Sequence, residues 1–96
     1  MIVFTPEAAL QVRELYQHYE DRDRPEASRG LATALEAAWQ KIVTNPAIGL
    51  PAPRPYPHLS RPGRQWIKAG RYWIAYRTEG SPAIIGVFYE TANIPR

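Results

Sequence analysis

The chain contains no cysteine and only two histidines among its 96 residues. Disulfides and thiolate catalysis are therefore excluded. Metal coordination is poorly supplied with ligands, and no cofactor is expected. No apolar run approaches the roughly 20 residues that span a bilayer. The opening MIVF followed by TPEA does not read as a signal peptide, so the expected location is the cytoplasm. Acidic residues are scarce in one half. Residues 51–96 hold seven Lys/Arg against two Asp/Glu, a balance of +5, while residues 1–50 hold five against seven, a balance of −2. A positive surface of this kind attracts phosphates or acidic peptides; it also serves simply as a solvated face.

What is present argues for a folded chain. The apolar fraction of 45% and three tryptophans exclude disorder. The length suits one domain over residues 1–96, with room for a core but not for a second domain.

Ile2, Val3 and Phe4 read as a short N-terminal strand. Thr5 is a helix N-cap and Pro6 suits the first helical position. The helix they start runs to about Asp21, with Val12, Leu15, Tyr16 and Tyr19 at the spacing of one buried stripe. DRDRPE breaks it, and Pro25 opens a second helix carrying Leu31, Ala34, Leu35, Ala38 and Ile42 at the same spacing. Asn45-Pro46 ends that helix, since a residue before proline avoids helical geometry. The two helices form an antiparallel hairpin. Six of the ten prolines then fall within residues 46–63, which excludes regular structure there. A loop of that length in a compact domain signals either function or a stiff crossover.

Three strands follow: Arg64–Ala69, Arg71–Thr78 and Ala83–Tyr89, with Gly70 and Glu79-Gly80-Ser81-Pro82 as turns. Alternation puts Tyr72, Ile74 and Tyr76 on one face and Arg71, Trp73, Ala75 and Arg77 on the other. Apolar residues on both faces of the third strand suggest that it is central. Pairing residues whose numbers sum to 161 sets Tyr72 opposite Tyr89, Trp73 opposite Phe88, Ile74 opposite Val87, Ala75 opposite Gly86 and Tyr76 opposite Ile85. Leu15, Leu35, Ile42, Ile74, Tyr76, Ile85 and Val87 would then form the core shared by helices and sheet. The fold class is α+β, a short N-terminal strand and a helical hairpin packed on a small antiparallel sheet.

In this order, IVFTPEA, a helix with LYQHY, RPEA, a second helix, NPAIG, RQW, and GRYWIAYR followed by IIGVFYE resemble the ParE/RelE superfamily of bacterial toxins over almost the whole chain. The resemblance implies a toxin–antitoxin operon, of the plasmid-stabilisation type, and an antitoxin that wraps the toxin. Members like RelE cleave messenger RNA on the ribosome with basic residues and an acid/base group on the concave sheet face. Members like ParE lack that set and poison DNA gyrase. In the ribonuclease pattern an arginine follows the tyrosine of the GRYWIAYR-like strand and holds the phosphate; here that position is Trp73. Basic or histidine residues also follow the last strand in the ribonucleases; here the chain reads Glu90-Thr91-Ala92-Asn93. Many ParE-like chains carry a histidine where this one has Tyr89.

These departures favour a ParE-like inhibitor that binds its target without chemistry. A RelE-like ribonuclease, or an inactive relative kept for binding, is the alternative. A ribonuclease needs a base, an acid and cations within hydrogen-bond reach. Its candidates are Arg64, Lys68, Arg71 and Tyr89, with His58 in a proline-rich loop where solvation is the simpler role. Tyr89 is expected on the helix face, where packing accounts for it. Arg71, Trp73, Arg77 and Phe88 are the candidates for binding antitoxin or target. Trp73 and Phe88 leave an apolar surface that needs a cover, supplied either by a partner or by the proline-rich segment. Nucleic acid enters only indirectly, or as the RNA of the ribonuclease alternative.

Overall fold

The structure is a computed structural model, and it describes residues 1–90. Helix α1 spans Pro6–Asp21 and helix α2 spans Pro25–Thr44. Strands β1 (Arg64–Ala69), β2 (Tyr72–Arg77) and β3 (Ala83–Tyr89) form an antiparallel sheet in the order β1-β2-β3. The helical hairpin packs on one face of this sheet, giving the expected α+β architecture.

Local chemistry sets the helix ends. The Thr5 hydroxyl accepts a hydrogen bond from the Ala8 amide, satisfying one of the free donors of the first turn. Between the helices, Asp23 takes φ +51°, a left-handed conformation that aspartate tolerates better than most residues. This lets the chain reverse within Arg22–Arg24. Helix α2 buries the predicted stripe of Leu31, Ala34, Leu35, Ala38 and Ile42, and adds Trp39. Helix α1 is shallower: Ala8 is its one fully buried position, while Val12, Leu15, Tyr16 and Tyr19 lie half-buried against the core.

The expected N-terminal strand is reduced to one parallel bridge, Phe4 to Ile84. The Ile84 amide donates to the Val3 carbonyl and the Thr5 amide to the Ile84 carbonyl. Pro6, which has no amide proton, then commits the chain to α1, so the pairing cannot lengthen.

The strand expected to be central is at the edge. It is β2 that lies between the other two, with every residue except Arg77 buried. Apolar residues on both faces of β3 arise because each face has its own cover, not because β3 has two strand neighbours. The register runs as expected from Tyr72–Tyr89 through Ala75–Gly86, then slips so that Tyr76 faces Ile84. Ile85 is the extra residue of this bulge. It leaves the helix-side core, and fully buried Ile84 takes its place.

Residues 46–63 contain two short 3-10 turns, Pro46–Ile48 and Pro57–Leu59, and otherwise no regular structure. This strap crosses to the sheet face opposite the helices. It is fastened at its start by Tyr76, whose hydroxyl donates to the Pro46 carbonyl (2.7 Å) and accepts from the Gly49 amide (2.9 Å). A Cβ on residue 49 would stand 2.5 Å from that hydroxyl, so the fastening requires glycine. A bridge between Leu50 and Trp66, with both backbone bonds made, then ties the strap to the edge of β1.

Candidate functional site

The sheet face away from the helices is the first candidate surface. Alternation along β1 presents Arg64, Trp66 and Lys68 there, opposite Arg77, Ala75 and Trp73 of β2. It is not open. Leu59 of the strap, Trp66, Trp73 and Ala75 form a second buried cluster, with Leu50, Ala52, Tyr56, Ile85 and Phe88 packed around it. The proline-rich segment is therefore the cover that Trp73 and Phe88 required. Trp73 is 6% exposed, and Phe88 is half-buried with its ring 5.8 Å from that of Trp66. Trp66 belongs to this face as firmly as Trp73, and the alternation of RQWIKA carried the signal for it.

The cations on this face are spread out. Arg64 and Lys68 lie four residues apart on one strand, about 13 Å. The Arg64 guanidinium donates through Nη2 to the Leu59 carbonyl and lies 5.5 Å from the Trp66 ring centre. Desolvation, with Arg61 nearby, pushes its pKa down. Lys68 sits 5.6 Å from the Trp73 ring centre and pairs with Glu90 at 3.0 Å. Arg77 is exposed and turned to the Ser81 carbonyl at 3.1–3.2 Å. His58 is exposed in the second 3-10 turn, its ring edge-on to Tyr56.

Arg71 does not join Trp73 and Arg77. It occupies the two-residue loop between β1 and β2, where Gly70 takes φ +55°. From there its side chain reaches the helix side of the sheet end, 3.5 Å from the Tyr89 hydroxyl and 3.8 Å from Glu90. The Tyr89 hydrogen bond, followed by the charges of Tyr89 and Glu90, raises the Arg71 pKa.

Arg71 lines a cleft of about 660 Å³ between the helical hairpin and the end of the sheet, together with Tyr19, Arg24, Glu26, Tyr72 and Tyr89. Tyr89 faces the helices as expected, its ring edge-on to Tyr72 at 5.6 Å. The Tyr72 and Tyr19 hydroxyls share a short hydrogen bond. Burial first, and then this contact, raise the Tyr72 pKa. Tyr19 and Tyr72 entered the sequence reading as packing residues, and Arg24 did not enter it; their meeting depends on how the hairpin sits on the sheet.

Lys68 and Arg71 both reach Glu90, and Arg71 also reaches Tyr89, so three of the candidates share one cluster around that carboxylate at the end of the sheet. Arg64 with Trp66, and Arg77 with the Ser81 carbonyl, stand apart from it; Thr91, Ala92 and Asn93 lie outside the described residues. Among the described residues no group of three or more His, Asp or Glu is placed to hold a metal, and no helix is long and apolar enough to cross a membrane.

A search of curated proteins found no match. A family model described as the ParE toxin of type II toxin-antitoxin system, parDE, matches residues 2–89. That span takes in the helical hairpin, the strap and all three strands, so the chain belongs to the ParE toxin family of type II toxin–antitoxin systems.

Proposed function

We propose that this toxin acts by binding a protein, DNA gyrase being the target, and not by cutting RNA, and that a cognate antitoxin neutralises it in the cytoplasm. The observation that carries this reading is the filled sheet face. Where the ribonuclease pattern calls for an arginine in an open groove, Trp73 is packed under Leu59 and the strap. Loss of a charge-stabilising donor costs on the order of 10²–10³ in rate. The remaining cations are engaged elsewhere: Arg64 donates to the Leu59 carbonyl, and Lys68 and Arg71 share Glu90.

Protein contacts are assigned to the accessible parts of the predicted set: Arg71 at the mouth of the cleft, Arg77 at the far end of β2, and the half-buried edge of Phe88. Trp73 acts from beneath, by holding the surface in shape. Arginine and aromatic side chains are enriched at interface hot spots, and the positive half of the chain favours encounter with an acidic antitoxin.

The test compares two outcomes of toxin expression. Arrested DNA replication with a DNA-damage response, and intact messenger RNA in a translating extract containing the purified toxin, are expected. Ribosome-dependent RNA cleavage that disappears on mutating Arg64, Lys68 or Arg71 would overturn the reading.

A further inference from the structure

The cleft of about 660 Å³ between the helical hairpin and the end of the sheet has a mostly apolar lining. Its size is that of an ordinary binding site. Tyr19, Tyr72 and Tyr89 line it, and so do two glycines, Gly30 and Gly70. Gly70 has a local reason to be glycine, its φ of +55° in the turn between β1 and β2. Gly30 has no such reason. It is exposed inside α2, where glycine weakens a helix relative to alanine. A Cβ there would meet no described atom within 4 Å, so no neighbour forbids a side chain. Of the Lys, Arg, Asp and Glu residues, the lining holds Arg24, Arg71 and Glu26. Glu26 is spent on Arg24 at 2.5 Å. Arg71 is the loosely held cation: its side chain is 74% exposed, and its contacts to the Tyr89 hydroxyl and Glu90 are long, at 3.5 and 3.8 Å.

We infer that this cleft is the docking site for an aromatic side chain of a protein partner, approaching over the bare backbone of Gly30, with a neighbouring carboxylate of the partner reaching Arg71. The lining sets the first half of this chemistry. Three tyrosines in a mostly apolar cleft offer a ring the edge-to-face contact that Tyr72 and Tyr89 already make at 5.6 Å. The charges set the second half. Tyrosine rings also attract cations, but both arginines of the lining repel them, and its one Asp or Glu side chain is neutralised by Arg24. The loosely held Arg71 calls for an anion, and a guanidinium binds a carboxylate through charge-assisted hydrogen bonds. A nucleic-acid strand would need a track of cations, whereas this cleft provides one. Gly30 completes the case, because a helix glycine that no neighbour requires is accounted for by close approach of another chain. The protein nature of the partner rests on the reading of the chain as a binding toxin; the ring-and-carboxylate chemistry rests on the cleft.

The experiment follows the amide resonances of the intact protein by NMR while 3-phenylpropionate, which joins a ring to a carboxylate, is added at matched ionic strength. Propionate, 3-phenylpropanamide and phenyl phosphate are the comparison probes. Phenylpropionate is expected to shift Gly30, Gly70 and Tyr72 saturably, and to bind severalfold more tightly than either propionate or the amide. Arg71→Gln should reduce its affinity to that of the amide. Gly30→Leu should abolish the shifts at Gly70 and Tyr72 with the spectrum still dispersed. Gly30→Ala should raise the thermal midpoint by about 2–8 °C, which separates a glycine kept for binding from one kept for folding. A lowered midpoint would overturn the role of Gly30. Tighter binding of phenyl phosphate would overturn the carboxylate in favour of a nucleotide. Absent shifts, or shifts unchanged in Arg71→Gln, would overturn the site. None of these outcomes depends on arrested replication, so failure here is distinguishable from failure of the gyrase reading.

Discussion

On the helix side of the sheet, the core is made by periodic elements: the α2 stripe with Trp39, and Ile67, Tyr72, Ile74, Tyr76, Ile84 and Val87 from the strands. On the strap side a smaller cluster is made by Leu59, Trp66, Trp73 and Ala75 under a segment with no regular hydrogen-bond ladder. The helix-side core has cooperative backbone structure on both of its walls. The strap-side cluster has a strand wall and a wall of proline-rich chain, fastened at Pro46, Gly49 and Leu50 and plugged by Leu59. Proline lowers the conformational entropy lost when such a segment is ordered, which lets a few contacts hold it. The comparison teaches that the second face is a genuine core of limited depth, and that it occupies the surface where a groove would otherwise lie.

The largest effect that could break this comparison comes from Trp73→Ala. If the strap side is true interior, the substitution costs about 3–5 kcal/mol by denaturant unfolding; a loss within the surface range of about 0.5 kcal/mol would show an open face. Leu35→Ala tests the helix side and is expected to cost about 2–5 kcal/mol, measured the same way. Leu59→Ala sharpens the contrast between the walls. It should fall at the low end of that range, about 2 kcal/mol, because a chain without a ladder can settle into the gap. Hydrogen exchange should show increased opening of residues 50–62 with strand amides still protected.

Titration gives a smaller effect on the helix side alone. The Tyr72 pKa is raised by burial and by Tyr19, so above the ordinary tyrosine value of about 10 the unfolded chain loses this proton first. Its contribution to stability is complete below pH about 10 and declines as pH rises further. Tyr72→Phe should reduce the slope of stability against pH in that range, read from unfolding curves. The smallest effect is expected at the Lys68–Glu90 pair, which is partly exposed at both partners. Glu90→Gln should change stability by less than about 1 kcal/mol, and the difference should shrink in high salt.

The helices and strands were legible because they carry periodic patterns with chemical punctuation. Thr5-Pro6, Pro25 and Asn45-Pro46 mark the helix boundaries, and Gly70 and Gly80 mark the turns. The pairing of Trp73 with Phe88 could likewise be read from the pattern. Strand order could not, because apolar residues on both faces of β3 fit a central strand and an edge strand with two covered faces equally well. Nor could the bulge at Ile85: a slip of one residue changes the face that a side chain serves while leaving composition untouched. Arg71 shows the same limit, since alternation was extended one residue past the strand into a loop where it no longer holds.

The sequence by itself determined the two helices, the three sheet strands, the α+β class and most of the shared helix-side core, with Leu15 half-buried and Ile84 in place of Ile85. Each of these follows from short-range periodicity and local backbone preference, while the toxin family was carried by the resemblance of the ordered motifs. Only the tertiary structure decided that residues 46–63 lie over the cluster of Trp66 and Trp73, that Arg71 turns to Tyr89 and shares Glu90 with Lys68, and that the Arg64 and Trp66 side chains are buried with one donor each unpaired. The physical reason is that an aperiodic strap is placed by long-range contacts such as Tyr76 with Pro46 and Leu50 with Trp66. Contacts between residues so far apart in the chain leave no repeating pattern in the sequence.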